Sequence, residues 1–369
     1  MSVRKKLVLI QFSRAFVPLI VMLFHTTESM YSYFKYNFLG LSFLPISGGV
    51  NYFFALTGFM MYYIYRESIG KANQLTYFLL NRFIRIYPLY WILTIAFLTV
   101  YLLFPNQFWS GVDTNIEAYI SSILLLPNSS ETDPFLIVAW SLVHTVFFYF
   151  IFSLLFFFKI NISKWILSIW GVLSIVFYTG LIDIDHYIIR FLFNFYNIIF
   201  LTGIVCAHFI TCHRINFKWS ITLSVIGFLG FPFTWLNYFY EFIHIDFDFS
   251  TGLSSALLIL GLASIDLQKD IKIPKVFNYL GNAAFSIYLS HNVVLDISTE
   301  LYSRLTIYDE LGGWLTMTIL MILMLIIGCF THSFIEKPLI KRMKKIVFKR
   351  NMDMPKMVPK ENKSSINIS

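Results

Sequence analysis

The sequence predicts an all-α, polytopic membrane helical bundle of about ten transmembrane helices, with both ends on the cytoplasmic side. Three observations carry that reading. Hydrophobic residues make up 57% of the 369 positions and charged residues 13%, with a mean hydropathy of +0.69, and no water-facing surface can be built from such a balance. Apolar windows long enough to cross a bilayer follow one another nearly end to end. Lys and Arg residues collect in every second connection between them.

The first window, Leu7–His25, follows Arg4-Lys5-Lys6. A signal peptide starts the same way, but no small-residue cleavage site follows and Arg14 interrupts the apolar run, so this is an uncleaved span. Val50–Tyr65 returns to a connection holding Arg66, Lys71, Arg82 and Arg85. Ile86–Phe104 follows, with Pro88 in its first turn, where the missing N–H costs little. Phe135–Phe158 leads back to Lys159 and Lys164, and Trp165–Ile182 leads out again. Ile189–Phe209 comes in to Arg214 and Lys218, and Trp219–Leu236 goes out. Thr251–Ile265 ends before Lys269, Lys272 and Lys275, and Val276–Leu295 and Gly313–Phe334 complete the set.

With the N-terminus inside, the outer connections receive only Lys35, Arg190 and Arg304 of the 28 Lys and Arg residues, beside the acidic pairs Asp183/Asp185 and Asp246/Asp248. A shift by one span would invert that asymmetry. Tyr31-Ser32-Tyr33 and the stretch from Trp235 to Tyr240 place aromatic rings at span ends, as interfacial belts require. No repeat of fixed period interrupts the pattern. Residues 1–345 therefore form one membrane domain, and 346–369 a basic, disordered cytoplasmic tail. The net charge of +8 belongs to this positive-inside pattern and signals no nucleic-acid partner. Cys206, Cys212 and Cys329 have no CxxC or metal spacing and are read as packing residues; no metal site is expected.

Inside the first span stand two residues that lipid disfavours, Arg14 and His25. They are eleven positions apart (25 − 14), about 1100° of helix, so they share a face about 16 Å apart along the axis. Arg14 snorkelling to the inner headgroups and His25 at the outer interface are the bland alternatives. Farther on, Asn81-Arg82-Phe83-Ile84-Arg85 precedes Ile86-Tyr87-Pro88. Arg82 and Arg85 at i,i+3 beside a helix start suit a phosphate, because the planar guanidinium fork matches its oxygens. Ordinary positive-inside charge is the competing reading, although lysine would serve that purpose equally well.

At these residues the chain resembles the acyltransferase-3 family of bacterial membrane acyltransferases. The likeness rests on Arg14 and His25, on Gly49 through Phe59, on Arg82 to Trp91, and on Leu280-Gly281 through Ser286-Ile287-Tyr288-Leu289-Ser290-His291, closing at Ile335-Glu336-Lys337-Pro338. The resemblance implies a multi-pass protein of the bacterial cytoplasmic (inner) membrane. It would move an acyl group, most often acetyl, from cytosolic acyl-CoA to a sugar hydroxyl of a cell-surface or exported polysaccharide. Acetyl-CoA (acyl-CoA) is then a co-substrate, with no tightly bound cofactor, and the acceptor a glycan or lipid-linked sugar. Carried over, His25 and Arg14 are the catalytic pair and Arg82 and Arg85 hold the donor. Thr145, in Trp140-Ser141-Leu142-Val143-His144-Thr145, stands where relatives often have glutamate, so no carboxylate acts there; Thr57 replaces a usual serine and keeps its hydroxyl.

Acyl transfer from a thioester requires a base, a stabilised oxyanion and an anchored donor. Histidine takes and returns a proton near neutral pH, so His25 serves as base or carries the acyl group itself, and Arg14 orients substrate or stabilises negative charge. The threading leaves His25 near the outer end of its span and Arg82 and Arg85 at the inner face, so the donor arm must enter a cavity between helices, or the acyl group must be relayed. His291 is expected either to line the site or to pack between helices, and Glu336 to mark the inner end of the last helix, stopped by Pro338. Two rival readings remain: a transporter or flippase of glycan precursors, since intramembrane Arg and His also mark transport pathways, and a catalytically degenerate relative.

Overall fold

The computed structural model describes residues 5–103, 116–128, 134–182 and 184–349. Most of the expected tail (350–369), Phe104 and Asp183 lie outside them. The helices are α1 (Val8–Phe34), α2 (Gly49–Tyr65), α3 (Leu75–Leu103), α4 (Ile116–Leu124), α5 (Trp140–Leu154), α6 (Ile160–Tyr178), α7 (Tyr187–Leu192), α8 (Phe195–Cys212), α9 (Phe217–Tyr240), α10 (Phe247–Gln268), α11 (Lys275–Arg304), α12 (Ile307–Phe330) and α13 (Lys337–Lys349). No strand occurs among the described residues. Eight helical stretches are long and apolar enough to cross a membrane. The 17-residue α2 and the 30-residue α11, which carries Asn282, Ser286, His291 and Asp296, run alongside them, α2 against α8 and α11 against α1. The chain is a multi-pass membrane protein.

Helices in lipid gain little from hiding apolar surface from one another, so close backbone approach through small residues supplies the contact. At the crossing of α2 and α8, Gly58 lies on the Phe200 carbonyl and Gly203 on the Ala55 carbonyl; a Cβ on either would overlap the facing backbone. Phe148 stacks on Phe200 at 4.3 Å and Phe54 leans on the same ring at 4.7 Å, filling the space below the crossing. At the N-terminus of α1, the amide of Leu9 donates to both carboxylate oxygens of Asp266 (2.9 and 2.8 Å), and that of Ile10 donates to one of them (3.2 Å). This satisfies amides that have no partner within the helix. Lys5 adds a 2.7 Å ion pair to Asp270, so the start of α1 is tied to the end of α10.

Several boundaries differ from the expectation, each for a local reason. The third span starts at Leu75, not Ile86, because the turn Ala72–Gln74 already winds the chain. Arg82 and Arg85 therefore lie within a helix rather than in a loop, and Pro88 is interior, as membrane helices tolerate. The phosphate argument from a helix start at Pro88 falls with this. Likewise α1 continues nine residues past His25, which sits inside the helix rather than at its end. The expected window Ile189–Phe209 breaks at Phe193-Asn194, where the Asn194 side chain accepts from the Tyr196 amide (2.9 Å) and caps α8. Pro338 does not stop the last helix: the chain widens into a π-type turn over Thr331–Glu336, takes up the proline, and runs on to Lys349, past the expected boundary at 345.

The short helix α4 was not foreseen. Its last carbonyls receive hydrogen bonds from α3: Tyr87 Oη donates to Leu124 (2.8 Å), Trp91 Nε1 to Ile123 (2.9 Å), and Tyr90 Oη to Ser122. These donors satisfy carbonyls that have no partner within the helix.

Candidate functional site

The polar residues gather at two levels. The lower level is a cavity of about 620 Å³ among α1, α2, α3, α5, α11 and α13. Arg14, Arg82 and Arg85 all line it, so three of the residues singled out in the sequence meet in one place. Lys337, Lys341 and Lys344 from the chain after the π-type turn face the same space, and Glu336 is its carboxylate among the described residues. So many cations around one carboxylate give this concave site a strongly positive potential.

Each arginine is held differently. The Arg14 guanidinium donates to the Gln11 side-chain oxygen one turn earlier (3.1 Å). Arg82 donates to Tyr65 Oη (3.2 Å) and lies over the rings of Tyr65 and Tyr149, at 5.5 and 5.6 Å, while its Nε is buried with no partner among the described residues. A buried donor left unmet is costly unless a ligand meets it. Arg85 pairs with Glu336 and covers the face of Phe285 at 5.3 Å. Glu336 is fully buried and also accepts from Ser286 Oγ (2.6 Å) and His332 Nδ1 (2.6 Å). It is thus the anchor of Arg85 rather than a helix terminus. The sequence reading missed this; His332 and Glu336, four apart at the end of an apolar run, were the signal that could have found it.

From the inner end of this cavity a smaller one, about 140 Å³, continues upward and shares Arg14, Phe53, Thr57, Arg85 and Tyr149 with it. Thr145 lines the smaller cavity, but its hydroxyl donates back to the Ser141 carbonyl (2.9 Å), the usual habit of a mid-helix threonine. Tyr288 also lines the smaller cavity, and its Oη hydrogen-bonds Ser141 Oγ (2.9 Å) and donates to the Val138 carbonyl (3.1 Å).

The upper level begins behind Tyr288. His291, fully buried, has its ring 5.7 Å from Tyr288 and 5.3 Å from His25, and its Nε2 has no partner among the described residues. His25 Nδ1 lies 3.4 Å from the Glu28 carboxylate one turn on. His25 does not line the cavity that holds the arginines; α1 separates it from Arg14 by about 16 Å of helix rise. Both residues nonetheless face α11, Arg14 across Phe285 and Tyr288 and His25 across His291, as the shared helical face requires. Among the described residues no group of His, Cys, Asp and Glu side chains is arranged to hold a metal ion.

Comparison with known proteins adds two findings. A family described as an acyltransferase domain matches residues 10–333. The chain is also 25% identical over 338 residues to the exopolysaccharide production protein ExoZ of Rhizobium meliloti (strain 1021), an alignment covering 87% of this chain and 95% of that protein. No solved structure matches.

Proposed function

The chain belongs to the acyltransferase-3 family of membrane acyltransferases, and from that membership we propose that it transfers an acyl group, most often acetyl, from cytosolic acyl-CoA to a sugar hydroxyl of an exported polysaccharide. The observation that carries the donor half is the convergence of Arg14, Arg82 and Arg85 with three lysines on one cavity. Coenzyme A carries several phosphate charges on one end and a flexible thioester arm on the other. The cationic cavity suits the phosphates, and the narrower extension past Arg14 and Thr57 suits the arm. The exopolysaccharide link of the ExoZ protein supports a polysaccharide acceptor.

On this reading His25 removes the proton from the acceptor hydroxyl, the alkoxide oxygen attacks the thioester carbonyl, and the carbon–sulfur bond breaks to release the coenzyme A thiolate, which His25 reprotonates. Glu28 holds Nδ1 of His25 and leaves Nε2 to the acceptor. Arg14 and Arg85, at the mouth of the smaller cavity, neutralise charge on the donor. The basic loops support a cytosolic position for the arginine cavity, on the side where acyl-CoA is made.

The test compares ester content of the surface polysaccharide in cells carrying the wild-type, His25→Ala and Arg85→Ala proteins at matched expression. Loss of ester in both variants is expected. Unchanged ester in both would end the acyltransferase reading of this site.

A further inference from the structure

We infer that a separate cavity beside Trp140 and His144 is a saccharide subsite that holds a neighbouring sugar residue of the acceptor polymer while another is acylated; this rests on the proposed glycan acceptor. The cavity measures about 360 Å³ and shares no lining residue with the two described above. It lies at the far end of α5. Tyr149, in the arginine cavity, and Trp140, in this one, are nine residues apart on that helix, about 13.5 Å of rise. Ser141, next to Trp140, is bonded to Tyr288, whose ring is beside His291 and so beside His25. The cavity is therefore level with His25 and remote from the donor's phosphates.

Its lining is what a pyranose requires. Trp140, Tyr187 and Phe191 line it with aromatic rings suited to the C–H face of a sugar, and Asn128 and the Asn194 amide nitrogen add polar groups for hydroxyls, beside Arg190, which is paired with Asp185 at 3.5 Å. His144 lines the same cavity, held between aromatic rings. It is nine-tenths buried, stacks on Phe191 at 4.6 Å, and is fixed edge-on by Tyr196 at 5.1 Å, yet its Nδ1 has no hydrogen-bond partner among the described residues.

The test uses the full chain in lipid nanodiscs. The probe is a set of oligosaccharides cut from the producing cell's own surface polysaccharide and de-esterified with mild alkali. Binding is read by saturation-transfer NMR and titration for wild type, Trp140→Ala, Tyr187→Ala and Arg85→Ala. Wild type and Arg85→Ala are expected to bind alike, and Trp140→Ala and Tyr187→Ala to bind at least tenfold more weakly. Tyr187 is half-exposed on the short α7, so its variant keeps the fold where Trp140→Ala does not. Absence of binding to wild type, or wild-type binding by Tyr187→Ala, overturns the subsite. Saccharide binding lost in Tyr187→Ala while ester content is indifferent to His25→Ala would uphold the subsite and refute the catalytic reading instead.

Discussion

Glu336 is the residue whose replacement most sharply separates a structural from a functional role. The carboxylate accepts from Arg85, Ser286 and His332 and is 0% exposed, while the Arg85 side chain is 31% exposed. Removing one partner of a buried ion pair costs about 3–5 kcal/mol. The partial exposure of Arg85 puts Glu336→Gln at the lower end, about 3 kcal/mol. At about 2 °C per kcal/mol for a chain of this size, the apparent melting temperature in detergent should fall by about 6 °C. Arg85, no longer held, should also raise the KM for acyl-CoA about tenfold, the equivalent of ~1.4 kcal/mol. The double variant Arg85→Met/Glu336→Leu removes both charges together and should regain most of the stability but none of the activity. A Glu336→Gln protein with unchanged melting temperature and unchanged KM would refute the anchoring role, and so would a double variant as unstable as the single one.

Four further outcomes are expected. Arg82→Lys keeps the charge but not the flat group between Tyr65 and Tyr149, so the acyl-CoA KM should rise about tenfold in steady-state assays on membranes. Lys341→Ala/Lys344→Ala should raise that KM about threefold or more and flatten its dependence on salt, measured from low to physiological ionic strength. Glu28→Gln should lower turnover about tenfold with the acyl-CoA KM unchanged, less than the loss at a buried dyad because the Glu28 side chain is 71% exposed. Gly203→Ala pushes a Cβ into the Ala55 carbonyl and should cost about 1–3 kcal/mol, read as a lower melting temperature.

The bundle was legible because lipid makes a strong demand: long apolar windows and one-sided basic loops leave few alternatives. Helix ends were less so. Arg82 and Arg85 lie among apolar neighbours, and their charge hides the fact that α3 is already wound by then. Arg14 was legible as costly in lipid, and its neighbours in the cavity confirm only where it sits. Glu336 was misread because a proline two residues later looks like a stop, whereas the π-type turn absorbs it. Lys337, Lys341 and Lys344 looked like ordinary positive-inside charge; their convergence on Arg82 depends on how α13 folds back under α3, and no local spacing encodes that. The docking of α4 onto Tyr87, Tyr90 and Trp91 was hidden for the same reason.

The separation of Arg14 from His25 sets the remaining mechanical requirement. About 16 Å of helix rise lies between them, and the smaller cavity, which Arg14 and Tyr288 both line, covers part of it. The Tyr288 side chain is held by two neutral hydrogen bonds, to Ser141 Oγ and to the Val138 carbonyl. Each contributes about 1 kcal/mol net, and the buried ring is also packed on Phe53 and His291, so about 2 kcal/mol is only the hydrogen-bond share of what holds it. Parting α1 from α11 would break the packing of two full-length helices. On the proposed function, the donor arm has to pass the level of Tyr288 to reach His25. The phosphates stay on the arginines while only the thioester crosses to the level where His25 and the acceptor meet.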